Sequence, residues 1–259
     1  MNELSVIILN HNEKEAVLKS LSSFVPVCGG AEFIVFDNGS GDGSAKEIKR
    51  RYPEVKVIES PENLGISVAR NRAVNEAGGS FILSLDSDTE YLSGDINGAV
   101  SYLKHNSGIG IAGFRLFGTD GAVQSSCRRF PSFYIPVLSR IAPLRRIKSL
   151  RQKFERHLMT DFDHTVIRDV DYVLGACQFF KKDVFLEVGG YDENIFFGPE
   201  DIDLALRLRK KGFRNIYYPR VEIKHSHRRR TKNYFSKVVF MHLKGLARYF
   251  MKHGLFNKI

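Results

Sequence analysis

Four short apolar runs, each of strand length, limit most severely what this chain can fold into. They are Ser5-Val-Ile-Ile-Leu9, Phe33-Ile-Val-Phe36, Val55-Lys-Val-Ile58 and Phe81-Ile-Leu-Ser-Leu85. β-Branched and aromatic residues dominate them, and stretches of helical character near 13–24, 43–51 and 67–77 lie between them. Strand alternating with helix predicts an α/β fold with a mixed, mainly parallel sheet flanked by helices. Polar residues follow three of the runs: Asn10-His11-Asn12, Asp37-Asn38-Gly39-Ser40 and Asp86-Ser87-Asp88. Open α/β sheets bind ligands outside the carboxyl ends of their strands, so the three polar clusters are expected on one rim.

Other segments narrow the choice. Gly41-Asp-Gly-Ser44 opens a helix with free backbone amides, but it is neither a Gly-x-Gly-x-x-Gly fingerprint nor a Walker loop. Arg70 and Arg72 sit on the helix near 67–77, where arginines are ordinarily solvated. Beyond Asp88 the pattern loosens, with a helix near 95–104 and a strand near 109–114. The run 145–156 is either an amphipathic helix or a loop. Asp171 to Phe180 reads as a strand interrupted by Gly175-Ala176, small enough to admit a ligand against the backbone. Gly198-Pro-Glu-Asp-Ile-Asp203 starts a helix, with Pro199 in its first turn and acids at the positive end of its dipole, and Gly212 stops it.

Charge distinguishes the two ends of the chain. The net charge is +10, yet 128–156 holds nine Lys or Arg against one acid and 224–259 holds ten against none, so the remainder carries −8. Both basic segments are expected to meet something acidic. A helix over about 233–252 places Phe235, Val238, Val239, His242, Leu243, Leu246, Tyr249 and Phe250 on one side and Lys237, Lys244, Arg248 and Lys252 on the other. That division suits an anionic bilayer surface, the surface of the helix's own domain, or a dimer contact, and the neighbouring run Arg228-Arg229-Arg230 favours the bilayer. A chain of 259 residues suits one domain, residues 1–227, with a basic helical extension, residues 228–259. No apolar run is long enough to span a bilayer and the N-terminus does not read as a signal peptide. Cys28, Cys127 and Cys177 lack metal-type spacing and suit buried thiols in a reducing, cytoplasmic setting.

Candidate chemistry lies at three places. Asp86 and Asp88, at a strand end where the chain turns, can both face a ligand and hold a hard divalent cation, or they can simply cap a turn. Glu200 and Asp201 form a carboxylate pair suited to general-base work, or they complement a helix dipole. His225, after the strand Val221-Glu-Ile-Lys224, is a common type of metal ligand, or a structural histidine.

Taken together, seven blocks resemble the family 2 inverting glycosyltransferases with the GT-A fold, in their rhamnosyltransferase-like branch. These are Ser5-Val-Ile-Ile-Leu-Asn-His-Asn12, Asp37-Asn-Gly-Ser40, Asn63-Leu-Gly65 with Ala69-Arg-Asn71, Asp86-Ser-Asp88, Gly175-Ala176, Gly189-Gly-Tyr-Asp192, and Pro199 to Arg209. The resemblance implies roles residue by residue. Leu9 and His11, where family members usually carry proline and tyrosine, would border the nucleotide base; Asp37 would bond to it and Arg70 would lie near base or diphosphate. Asp86 would approach ribose or metal, with Ser87 beside it. Asp88 would bind a Mn²⁺ or Mg²⁺ ion and His225 would complete its shell. Gly175 and Ala176 would adjoin the substrate, Asp201 would be the base, and Glu200 would contact acceptor or donor sugar.

The resulting expectation is a metal-dependent enzyme moving a sugar, rhamnose among the candidates, from a dTDP- or UDP-linked donor to a saccharide or lipid-diphosphate-linked acceptor. It would work peripherally on the cytoplasmic face of an anionic membrane, in cell-surface polysaccharide synthesis. The competing classes are a sugar nucleotidyltransferase, which would want a glycine-rich basic loop after the first strand, and a nucleic-acid-binding protein, suggested by the basic pI. Asn10-His-Asn-Glu13 is not such a loop, and nucleic acid is not expected as a partner.

Overall fold

The structure, a computed structural model, describes residues 3–226 and 237–256. Its first half follows the alternation closely: β1 (Leu4–Asn10), α1 (Lys14–Phe24), β2 (Glu32–Asn38), α2 (Ser44–Arg51), β3 (Lys56–Ser60), α3 (Ile66–Glu76) and β4 (Phe81–Asp86). β1 lies between β2 and β4 with all contacts parallel, and β3 flanks β2. Every residue of β1 is buried, as a strand covered on both faces requires. Val6 and Ile8 join a core that includes Val17, Leu21 and Phe24 of α1. Ile7 and Leu9 point the other way, into a core with Ala69, Ala73 and Val74 of α3.

The second half contributes β5 (Thr89–Gly94), α4 (Ile96–His105), β6 (Ile109–Phe117), β7 (Cys127–Arg128), α5 (Ile135–Arg140), a 3₁₀ turn (Ala142–Arg146) and α6 (Lys148–Leu158). It continues with β8 (Arg168–Val170), β9 (Tyr172–Val173), β10 (Cys177–Lys181), α7 (Lys182–Glu187), α8 (Glu200–Lys210), β11 (Arg214–His225) and α9 (Lys237–His253). The main sheet runs β3-β2-β1-β4-β10-β6-β11-β5, with β8 added to β11, while β7 and β9 form a separate pair. β10 is antiparallel to both its neighbours, so a late strand joins the early parallel half to the rest.

Two strands differ from expectation. Thr89 to Gly94, read as irregular, is an edge strand antiparallel to β11, and its alternation is too weak to show in sequence. β11 begins well before Val221 and runs through Pro219, the register on β6 breaking between Tyr218 and Glu222 where proline cannot donate to the ladder. The three cysteines are buried and free, and burial pushes all three thiols up to about 12.

The expected boundary at residue 228 and the run 228–230 lie outside the described residues. Beyond them, α9 packs on the domain through Val239, Leu246 and Tyr249, the last in a cluster with Tyr172, Ile202, Ala205 and Leu206. Two of its basic residues also turn inward. Arg248 and Lys252 pair with Asp192 at 3.1 and 3.0 Å, and Lys252 and His253 reach the fully buried Asp203 at 2.8 and 2.7 Å. Part of the stripe that suited a bilayer is thus engaged by the protein itself, because two acids distant in sequence compete for it, while Lys244 stays exposed. Among the described residues no helix is long and apolar enough to cross a membrane.

Candidate active site

Strand register assembles the site. Leu9 of β1 is paired with Asp86 at the end of β4, and Asn10 with Asp37 of β2, so three strand ends share one rim. Only Ser87 and Asp88 separate β4 from β5, and β5 pairs with β11 so that Thr89 lies opposite His225. That pairing brings a histidine 137 positions away beside Asp88: its Nε2 is 3.6 Å from Asp88 Oδ1. Ligand atoms of Asp86, Asp88 and His225 all lie within 4.8 Å of one another. Two carboxylate oxygens and an imidazole nitrogen at this spacing are a donor set that a hard divalent cation can take. Burial, with Asp86 and Glu13 nearby, raises the Asp88 pKa against the lowering by His225.

Gln124 orients the histidine, a role sequence reading missed because no motif surrounds it. Its Nε2 donates to the His225 carbonyl at 2.9 Å, which turns its Oε1 to the His225 Nδ1 at 2.9 Å. Nδ1 therefore carries the proton in this arrangement, and Nε2 is the nitrogen presented to Asp88.

A cleft of about 520 Å³ opens over the triad. Leu9, His11, Glu13, Asn38, Asn63 and Ile66 line it together with Asp86, Ser87, Asp88 and His225. Phe196 and Phe197 form another wall, and Val238, Met241 and His242 of α9 close it. His11 Nδ1 donates to the Asn38 carbonyl at 2.9 Å, and Ser87 turns its hydroxyl to Glu13. Burial, with Arg140 nearby, pushes His242 down to about 4, so it is neutral near pH 7. The wall at Gly65 needs glycine: its φ is +82°, and a Cβ would stand 2.7 Å from Phe196. Of the α9 wall, only the apolar side of a helix could be read in advance, not that it faces a cleft.

Asp37, Arg70, Gly175 and Ala176 stand elsewhere. Asp37 does not line the cleft; Ser40 N–H donates to one oxygen at 2.8 Å, and Asn10 and Ser44 donate to the other at 3.0 and 2.9 Å. Its neighbour Asn38 is the residue on the wall. Arg70, for which solvation was the ordinary reading, is buried behind Asp86, donating from Nη2 to Asp86 Oδ1 at 2.6 Å and to the Gly175 carbonyl at 2.7 Å. Its Nη1 lies 3.8 Å from Glu200. Burial alone would lower its pKa, but Asp86, Tyr191, Glu200 and Asp201 outweigh that and raise it. At Gly175, the groups close to the backbone are the protein's own: a Cβ would meet Arg70 at 2.9 Å and Glu200 at 3.3 Å. Ala176 is buried, its carbonyl accepting from the Asp86 N–H at 3.0 Å.

Glu200 and Asp201, on the first turn of α8, lie on the far side of Arg70 from the triad's Asp86 and do not line the cleft. Asp201 accepts from the Gly175 N–H at 3.0 Å and the Ile202 N–H at 2.8 Å, which fixes its carboxylate. Burial raises its pKa, against those two hydrogen bonds. Burial and Asp201 together push Glu200 up to about 7. A linked set of Asp86, Arg70, Gly175, Glu200 and Asp201 thus joins the metal-type cluster to a carboxylate pair able to exchange a proton near neutrality.

Comparison with known proteins agrees with this geometry. The model of glycosyl transferase family 2 matches residues 5–188, and the chain belongs to that family. Its relatives within the family include rhamnosyltransferases. The N-acetylglucosaminyl-diphospho-decaprenol L-rhamnosyltransferase of Mycobacterium tuberculosis is 26% identical over 227 residues, 83% of this chain and 71% of that protein. Rhamnosyltransferase WbbL of Escherichia coli is 23% identical over 261 residues, 97% of this chain and 94% of WbbL. Among solved structures, GalNAc-T7 with UDP, GalNAc and Mn²⁺ superimposes with a TM-score of 0.69 at 18% identity, over 97% of this chain and 48% of that one. This chain therefore spans about half the length of GalNAc-T7, and the likeness establishes the GT-A fold. Family membership decides for a sugar transferase over the nucleotidyltransferase and nucleic-acid-binding alternatives.

Proposed function

We propose that this glycosyltransferase is an inverting, divalent-metal-dependent enzyme that moves a hexose, rhamnose being favoured, from a dTDP- or UDP-linked donor to a hydroxyl of a lipid-diphosphate-linked saccharide. The observation that carries the reading is the Asp86, Asp88 and His225 set, held within 4.8 Å beneath a cleft of about 520 Å³. The Mn²⁺ bound by the structural neighbour and the lipid-linked substrate in the name of the mycobacterial relative support it. Together they favour a place in cell-surface glycan synthesis, at a membrane.

Asp88 and His225 would hold Mn²⁺ or Mg²⁺, with Asp86 contributing through the oxygen not engaged by Arg70. A divalent ion there supplies Lewis-acid stabilisation of the departing diphosphate. Leu9, His11, Asn38 and Asn63 bound the space for the nucleoside, and Asp37 organises the loop beneath it. Asp201 takes the proton from the acceptor hydroxyl; the Gly175 and Ile202 amides hold its oxygens in place, and burial strengthens it as a base. Glu200 stands beside it, buried against Arg70, and shares the pair's proton. Because α9 supplies cleft residues, this helix works as part of the catalytic unit.

Thermal shift with a panel of dTDP- and UDP-sugars, with and without Mn²⁺, tests the assignment. A donor at about a hundred times its Kd adds about 2.7 kcal/mol, or roughly 5–10 °C. Asp88→Ala should abolish the metal-dependent part of that shift, and a variant that keeps it would place the ion elsewhere. Gln124→Leu should weaken Mn²⁺ binding by about 10–100-fold in a direct titration, through loss of His225 orientation. Unchanged affinity would mean that His225 is held without Gln124.

A further inference from the structure

We propose that the outer faces of α5 and α9 form one apolar, basic-rimmed surface that seats this protein on an anionic lipid bilayer beside the mouth of the cleft. The inference rests on the reading of a lipid-linked acceptor, and it turns α9 so that a stripe sharing only Leu243 with the apolar side read from the sequence meets the membrane. The side first suited to a bilayer is spent on Asp192, Asp203 and the Tyr249 cluster. What remains outward is Phe240, Leu243, Ala247 and Met251, a stripe at helical spacing, with Phe240 69% and Met251 80% exposed. These side chains contribute little to the fold, and an apolar stripe left in water marks an interaction surface.

α5 widens the stripe into a face. The Phe133 N–H donates to the Leu255 carbonyl at 3.1 Å and the Phe133 ring meets Phe256 at 5.6 Å, while at the other end Arg140 is near enough to His242 to depress its pKa. The two segments therefore run side by side in opposite directions, and α5 with its flanking residues adds exposed Phe133, Val137 and Ile141. Positive charge borders them. Arg146, Lys148, Arg151, Lys153 and Arg156 are exposed in the segment that follows α5, and Lys153 lies over the Tyr134 ring at 5.2 Å. Apolar groups ringed by lysine and arginine match the acyl boundary and the anionic headgroups of a bilayer. A second copy of the chain matches less well, since a symmetric contact would set one basic rim against another. The position also serves the reaction: Val238, Met241 and His242 line the cleft from the helix that presents Phe240 outward. A saccharide anchored by its lipid would reach the cleft without leaving the headgroup layer.

Co-sedimentation of the full chain with vesicles tests this, using phosphatidylglycerol mixed with phosphatidylcholine against phosphatidylcholine alone. Binding to the anionic vesicles is expected, weakening as salt rises. Phe240→Ser and Met251→Ser should each reduce it about tenfold, with melting temperature and transfer to a soluble, lipid-free saccharide unchanged. Arg146→Glu with Lys148→Glu should abolish the preference for anionic lipid. Wild type that ignores vesicles, serine variants that bind as well as wild type, or a dimer that Phe240→Ser dissociates would each overturn the proposal. Transfer to a lipid-linked acceptor is assayed separately in detergent: its absence in a vesicle-binding wild type would sink the acceptor reading and leave the surface standing.

Discussion

Replacing Asp201 by Asn is expected to lower transfer about a thousandfold or more while leaving the metal-dependent binding of donor intact. The amide keeps the shape of the carboxylate but cannot accept a proton, and it must present its oxygen to only one of the two backbone donors, Gly175 and Ile202. Because Asp201 is separated from the triad by Arg70, donor binding should report on the triad alone. The wild-type pH profile provides a second readout. Glu200, raised from 4.5 to about 7 by burial and Asp201, keeps a proton on the pair in mildly acid solution. The kcat/KM should therefore climb as pH rises through about 7. The sign for stability is opposite: the fold favours protonated Glu200, so this contribution is complete below about 4.5 and is lost as pH rises through about 7. Undiminished turnover by Asp201→Asn would remove it as the base.

Arg70→Met should cost stability more than any change on the cleft wall. The guanidinium is 1% exposed, contacts Asp86 and the Gly175 carbonyl, and lies near Glu200. Methionine fills the space but strands the buried Glu200, with Asp86 partly exposed to water, and removal of one partner from a buried pair costs about 3–5 kcal/mol. Urea unfolding would measure it, and Arg70→Lys should recover only part, because an ammonium cannot span three acceptors set at this geometry. A variant as stable as wild type would show that Asp86 and Glu200 are neutralised by some other means.

The parallel half of the fold was readable because strands covered on both faces are continuously apolar, and β1, β2 and β4 are such strands, with β3 at the sheet edge. Asp86, Ser87 and Asp88 were readable for the related reason that ligand loops follow strand ends. The partnership of Asp88 with His225 was not, since it depends on the register between β5 and β11, and β5 is a short edge strand with weak alternation. His225 entered through family resemblance, and local pattern alone left it open. Arg70 shows a second limit. An arginine on a helix looks solvated until the acids that enclose it, one of them on α8, are brought in by tertiary structure. The orientation of α9 failed to emerge for the same reason: periodicity separates two sides of a helix but does not say which one the domain takes.

Asp203 lies two residues beyond Asp201 on α8, and it is the buried anchor for Lys252 and His253 of α9. Anyone building chimaeras between this enzyme and its relatives to change acceptor choice inherits a constraint from that arrangement. The C-terminal segment cannot be grafted alone, because a foreign helix would leave Asp192 without its cations and the buried Asp203 with Arg207 as its remaining ion pair. Productive exchanges would transplant Asp192, Asp203 and residues 248–253 as a single cassette.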